Sequence, residues 1–303
     1  MRYRRVAVLA VCGLIAAAGI CWIGGAIAGD ATVAPSVDAH PLTEAARAGR
    51  HVRIDGPRGA IHVWIPQSFR PDTGATILYV HGYYDDADTA YVGHRLPEQF
   101  AASALNAMFI VPEAPYMTKV PVNYPSLSEL IRLVEDKTGV SRGMALTAAV
   151  GHSGAYRTIN SWLDEPLLEQ VVLIDGMYAN EEVMEAWLRA SPLHRMVTIG
   201  EDTLPWNEQL LRDMPDTFVI DRVPPTYDTW PPEAKTAKSV YVRAQYYHMP
   251  LVTDGIVLPA VLRLLPVELL GDEPWSNPLG AMPRPPDAAI DAGINPPGDA
   301  TTD

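Results

Sequence analysis

Four short stretches of the chain are apolar without alternation: residues 76–80, 107–111, 170–174 and 195–199. A strand that faces water on one side alternates polar and apolar residues, whereas a strand covered on both faces does not. These runs therefore read as buried strands. Segments with helical spacing lie between them. Residues 126–138 place Leu127, Leu130, Ile131 and Val134 on one stripe, with Ser126 as N-cap. Residues 181–190 carry acidic side chains in their first turn, where the helix dipole favours them. Further helices are expected at 90–106, 156–163, 206–212 and 251–265, and further strands at 144–150 and 239–242. Alternating buried strands and helices demand a mostly parallel sheet with helices on both faces. The fold class is α/β, a three-layer sandwich. Ahead of it, residues 51–54 and 60–65 flank the turn Gly56-Pro57-Arg58-Gly59 and read as an antiparallel hairpin at the sheet edge.

In such a sheet ligands bind beyond the carboxyl ends of the strands. The polar residues that end strands are His81, Ser153, Asp175, Glu201, Asp202 and His248. The surroundings of Ser153 are the most informative. The small apolar run Ala148-Ala149-Val150 stops at Gly151-His152-Ser153-Gly154-Ala155, and a helix-compatible segment follows. That order suits a serine on a sharp strand-to-helix turn, held in strained backbone angles with its hydroxyl clear of the sheet. Such a turn requires small residues two places before and after the serine, and Gly151 and Ala155 meet the condition. A serine hydroxyl is a weak nucleophile near neutral pH. It needs a base within reach, a carboxylate to fix the tautomer of that base, and N–H donors for the oxyanion. Each has a candidate, in the chain order serine, acid, histidine. Of eight histidines, only His248 follows the last strand. Asp175 ends a clean apolar strand and is followed by Gly176, so it is preferred as the acid to Glu201 and Asp202, which precede a long irregular segment.

Val80-His81-Gly82 follows an early strand, Gly151-His152-Ser153-Gly154-Ala155 a middle one, and a histidine the last. In that combination the chain resembles the α/β-hydrolase fold family over most of residues 50–270. The resemblance implies Ser153 as nucleophile and His248 as general base. It also implies an oxyanion hole built from the backbone N–H groups of Gly154 and of Tyr83, just after the His-Gly pair. Ala155 stands where the family usually has glycine. The expected reaction is hydrolysis through an acyl-enzyme, foremost of carboxylic esters, with no metal or organic cofactor. Peptide or amide cleavage on the same triad, and a non-catalytic surface binding protein of the same fold, are the alternatives. His81 is expected to brace the oxyanion loop and His152 to pack. Asp85, Asp86 and Asp88 form either a solvated loop or a grip for a cationic substrate group. Residues 203–238, with Trp206, Tyr227 and Trp230, form either a lid with an aromatic pocket or a surface excursion.

A net charge of −13 argues against nucleic acid as a partner, because phosphate binding needs clustered Lys and Arg. The substrate is expected to be a small molecule or a peptide. Cys12 and Cys21 both lie near the N-terminus, so the remaining chain can form no disulfide and offers no thiol nucleophile. Arg2, Arg4 and Arg5 precede an apolar stretch over residues 6–28. It reads as a signal peptide ending at Ala26-Ile27-Ala28, or as an uncleaved membrane anchor; either exports the remainder, to be secreted or held outside the cytoplasm. Residues 29–49 read as a spacer with room for a short helix at 43–48. Residues 50–270 read as the folded domain, and residues 271–303 as a disordered Pro-rich tail.

Overall fold

The computed structural model describes residues 41–227 and 229–270. The expected leader, most of the spacer and the tail lie outside the described residues. Nine strands are described: β1 (Arg50–Gly56), β2 (Gly59–Ile65), β3 (Ala75–Val80), β4 (Ala107–Pro112), β5 (Thr147–His152), β6 (Gln170–Ile174), β7 (Arg195–Gly200), β8 (Phe218–Ile220) and β9 (Ser239–Arg243). They form one sheet in the order β1-β2-β4-β3-β5-β6-β7-β9-β8. β1 and β2 pair antiparallel, as do β2 and β4. Every other pair is parallel. The expected hairpin forms one edge, and the unbroken apolar runs stand inside.

Among the described residues ten α-helices flank the sheet: α1 (Pro41–Ala48), α2 (Ala87–Gly93), α3 (Leu96–Ser103), α4 (Leu127–Thr138), α5 (Tyr156–Asn160), α6 (Glu181–Ala190), α7 (Leu204–Asp213), α8 (Pro232–Thr236), α9 (Pro250–Thr253) and α10 (Val257–Leu262). Successive strand side chains point to opposite faces. Along β3, Ile77 and Tyr79 enter one apolar core, and Leu78 and Val80 enter the other. Phe100 of α3, Leu251 of α9 and Leu258 of α10 close the first core. Leu130 of α4, Ile159 of α5, Leu188 of α6 and Leu210 of α7 close the second. Burying each such side chain is worth roughly 1.5–3 kcal/mol, so neither face can be left uncovered. The result is the expected three-layer sandwich.

Several boundaries differ from expectation, each for a local reason. The single helix expected at 90–106 is two. Pro97 cannot donate to the preceding turn, and Arg95 joins α2 to α3 with a left-handed φ of 53°. The closing helix is also split, at Gly255 with φ 74°. The helix after Ser153 stops at Asn160, earlier than expected, and the strand before it runs to His152. The segment 203–238 carries β8 and α8, neither of them foreseen; β8 is only three residues long, and its side chains are half-buried. The domain also begins before residue 50. Ala46 of α1 is buried, and its carbonyl accepts a hydrogen bond from Trp64 Nε1 at 3.0 Å, so α1 belongs to the core and not to a spacer. Among the described residues no helix is long and apolar enough to cross a membrane; the stretch at 6–28 lies outside them.

Candidate active site

The loops beyond the carboxyl ends of β3, β5, β6, β7 and β9 carry His81 to Tyr83, Ser153, Asp175, Glu201 to Thr203, and His248 respectively. Ser153 sits at the junction of β5 and a single 3-10 turn leading into α5, with φ 54°. A left-handed φ in a non-glycine residue costs on the order of 1–3 kcal/mol and needs surroundings that enforce it. The steric condition read from the sequence is met in space. A Cβ at Gly151 would lie 2.9 Å from the Cβ of Ala155 and 2.5 Å from Cδ1 of Ile159. Alanine at 155 is therefore tolerated only because position 151 is glycine.

Asp175 ends β6, also with a left-handed φ of 48°, and is fully buried. Its Oδ2 accepts a hydrogen bond from His248 Nδ1 at 2.8 Å. Oδ1 accepts from the N–H of Glu201 at 3.0 Å, the N–H of Thr203 at 2.9 Å and the Thr203 hydroxyl at 2.9 Å, while Oδ2 also accepts from the N–H of Asp202 at 3.2 Å. Burial pushes this carboxyl up, but the bonds from His248 and from these N–H groups outweigh it and hold it down to about 2. It is therefore ionised at neutral pH and fixes His248 with the proton on Nδ1, leaving Nε2 as a base. The rival acids of the sequence reading take another part. Glu201 and Asp202 give their backbone N–H groups to Asp175. The Asp202 carboxylate is half-exposed, 3.6 Å from His248 Nδ1. The Glu201 carboxyl, hydrogen-bonded to that of Asp202, is pushed up.

His248 is held from a second side. The Nε2–H of His152 donates to the His248 carbonyl at 3.2 Å, and the two rings lie 4.4 Å apart. His152 is buried, and its desolvation holds it well below the ordinary histidine range, so it stays neutral with its proton on Nε2. Sequence reasoning gave His152 a packing role and missed this tie. Its signal is the position beside the serine, which points a strand side chain to the face where the last loop returns.

The loop after β3 closes over the serine. A Cβ at Gly82 would lie 2.9 Å from the Cβ of Ser153, so no other residue lets the loop come this near. The Tyr83 ring covers Gly154, where an added Cβ would meet it at 2.6 Å. Among the described residues the Tyr83 N–H has no hydrogen-bond partner. His81 braces the loop, as expected. Its Nε2 accepts from the Ala114 N–H at 3.0 Å, which places the proton on Nδ1, and Nδ1 donates to the Gly82 carbonyl at 2.9 Å.

Other expectations resolve differently. Each member of the acidic run has an internal partner: Asp85 faces His94 at 3.3 Å, Asp86 caps α2 through the Thr89 N–H, and Asp88 pairs with Arg53 and His62. Tyr227 and Trp230 are buried in the first core, donating to the carbonyls of Gly255 and Ala260, both at 2.7 Å. They form no pocket. The ring of Trp206 instead lies 5.4 Å from that of Tyr178, in the loop that follows Asp175.

No family model and no curated protein matches the chain. Solved structures do. A ferulic acid esterase superposes with a TM-score of 0.46 at 13% identity, over 72% of this chain and 98% of the other. A feruloyl esterase module from Clostridium thermocellum, complexed with sinapinate, gives 0.49 at 14% identity, over 73% and 88%. Brefeldin A esterase, a bacterial homologue of human hormone sensitive lipase, gives 0.42 at 12% identity, over 71% and 73%. With its mostly parallel sheet in the order described, helices on both faces and a strained serine turn at the end of the central β5, the chain has the α/β-hydrolase fold.

Proposed function

We propose that the protein is a serine hydrolase that cleaves carboxylic esters through an acyl-enzyme. The observation that carries this reading is the buried Asp175 carboxylate bonded to His248 Nδ1 at 2.8 Å, in loops gathered around the strained Ser153 turn. In the first step His248 Nε2 takes the Ser153 proton as the hydroxyl oxygen attacks the ester carbonyl. The N–H groups of Tyr83 and Gly154 receive the oxyanion. Asp175 stabilises the imidazolium that forms, without itself taking a proton. The imidazolium then protonates the departing alcohol, and water attacks the acyl-serine by the same route. Esters are favoured over amines as leaving groups because the acidic run, the candidate grip for an amine, is occupied internally. The apolar stretch at 6–28 supports placing the enzyme outside the cytoplasm.

A fluorophosphonate probe tests the reading. It is expected to label the wild type and to leave Ser153→Ala unlabelled. Equal labelling of the two would remove the mechanism.

A further inference from the structure

The half-buried aromatic side chains around Ser153 come from four separate elements yet make one continuous wall. Tyr83 lies on Gly154, beside the nucleophile. Tyr156, on the first turn of α5, neighbours Tyr83. The Tyr156 ring lies 6.0 Å from that of Tyr178, and the Tyr178 ring lies 5.4 Å from that of Trp206, with tilts of 40° and 56°. Tyr178 stands two residues after Gly176, where an added Cβ would lie 3.3 Å from the Ser153 carbonyl oxygen, so this loop passes beside the nucleophile. Core aromatics of this protein, such as Trp162 and Phe109, are fully buried; these four keep part of their surface open. Partly exposed rings beside a nucleophile suit another ring by edge-to-face or offset stacking, at centroid separations like those already present among them.

The charges around the wall narrow the choice. Asp202 stands at its His248 end, with its carboxylate 3.6 Å from His248 Nδ1, and Glu201 is its neighbour in the same loop. Arg157 donates to the carbonyls of Met117 and Val120, and Arg243 pairs with Glu208 and Asp221. A substrate carboxylate beside His248 would meet repulsion from Asp202.

We infer that the site takes uncharged esters bearing an aromatic ring close to the scissile carbonyl, with the ring held against Tyr178 and Trp206. The inference rests on the ester-hydrolase reading for its chemistry, but its binding half can be measured without turnover. Two matched pairs of esters decide the first part: methyl 3-phenylpropanoate against methyl 3-cyclohexylpropanoate for a ring on the acyl side, and benzyl acetate against cyclohexylmethyl acetate for a ring on the alcohol side. In a pH-stat the aromatic member of at least one pair is expected to show a kcat/KM higher by about fivefold or more, the size of one aromatic pair contact. Trp206→Leu is expected to shrink that ratio to within about twofold, and Trp206→Phe to keep most of it. Placing a carboxylate para on methyl benzoate is expected to lower kcat/KM by about tenfold. Binding of the same pairs to Ser153→Ala, followed by saturation-transfer NMR, is expected to show the same ranking. Ratios near one in both pairs, an equally good straight-chain ester, or a preference unmoved by Trp206→Leu would overturn the inference while leaving the hydrolase standing. An aromatic preference in binding with no turnover of any ester would overturn the hydrolase reading instead.

Discussion

The Asp175 carboxylate accepts from three consecutive backbone N–H groups, one hydroxyl and one imidazole. An amide in its place has one acceptor oxygen and turns an N–H₂ toward donors. Asp175→Asn is therefore expected to lower kcat by about 10³–10⁴, since the imidazole loses both its tautomer and the stabilisation of its charged form. Asp202→Asn changes only a half-exposed charge 3.6 Å away, and is expected to cost less than about tenfold. Steady-state kinetics on both variants, with circular dichroism to check folding, separates them. The same carboxylate also makes a stability prediction. Its folded pKa of about 2 lies below that of the unfolded chain, so its contribution is present above about pH 4 and is lost as pH falls through 2. At about 1.4 kcal/mol per unit this is on the order of 2 kcal/mol. Urea midpoints of the wild type should fall between pH 4 and pH 2 more steeply than those of Asp175→Asn. Parallel curves would show that Asp175 does not ionise as described.

Among the elements, the loop after β9 matters most, because it must present His248 at one spot although its flanks Tyr247 and Met249 are exposed. Two bonds hold it: Asp175 on the side chain and His152 Nε2 on the backbone carbonyl. The second makes His152 a positioning residue. His152→Phe keeps a buried ring but removes the donor, and is expected to lower kcat by about tenfold with little change in KM. His152→Gln, whose amide N–H reaches about as far, should recover part of the loss. Equal kcat in all three proteins would reduce His152 to packing. Much of this arrangement was legible in the chain. The strands 76–80, 107–111, 170–174 and 195–199 announced themselves because unbroken apolar runs are stable only when covered on both sides. Ser153 and His248 followed from where strands end. The acid remained open among three carboxylates because the choice depends on how the loop after β7 folds back: it turns its N–H groups toward the Asp175 carboxylate, which accepts the histidine's hydrogen bond in place of the loop's own acids. The His152 tie and the wall around Tyr178 join residues far apart in sequence, and no local pattern encodes such meetings. Misplaced helix ends, at Pro97 and Gly255, came from reading apolar spacing through residues that break helices.

At the scale of the molecule, the chain's last described residues are bound to the domain. Leu270 donates to Ala104 O at 2.6 Å, Asn106 donates to Glu268 O at 2.7 Å, and the Glu268 side chain meets Arg70, Thr73 and Asn106. A protein ended at residue 270 should melt within about 2 °C of the full chain, since residues 271–303 lack the apolar side chains to bury a core-sized face. One ended at 265 loses these bonds and should melt several degrees lower, at about 4 °C per kcal/mol or less for a domain of this size. Differential scanning calorimetry of the two gives the answer, and a large drop for the longer one would mean that the tail is a structural part. The place of these contacts has a further consequence. Ala104, Leu105 and Asn106 lie just ahead of β4, at the amino ends of the parallel strands, and Arg50 enters the sheet at that same end, paired with Ile65. β1 thus enters the sheet, and residues 268–270 pack, at the amino ends of the parallel strands, while Ser153 stands at their carboxyl ends. A handle joined at residue 270 would hold the enzyme from the side opposite Ser153 and leave the approach to the serine free for bulky or surface-bound esters.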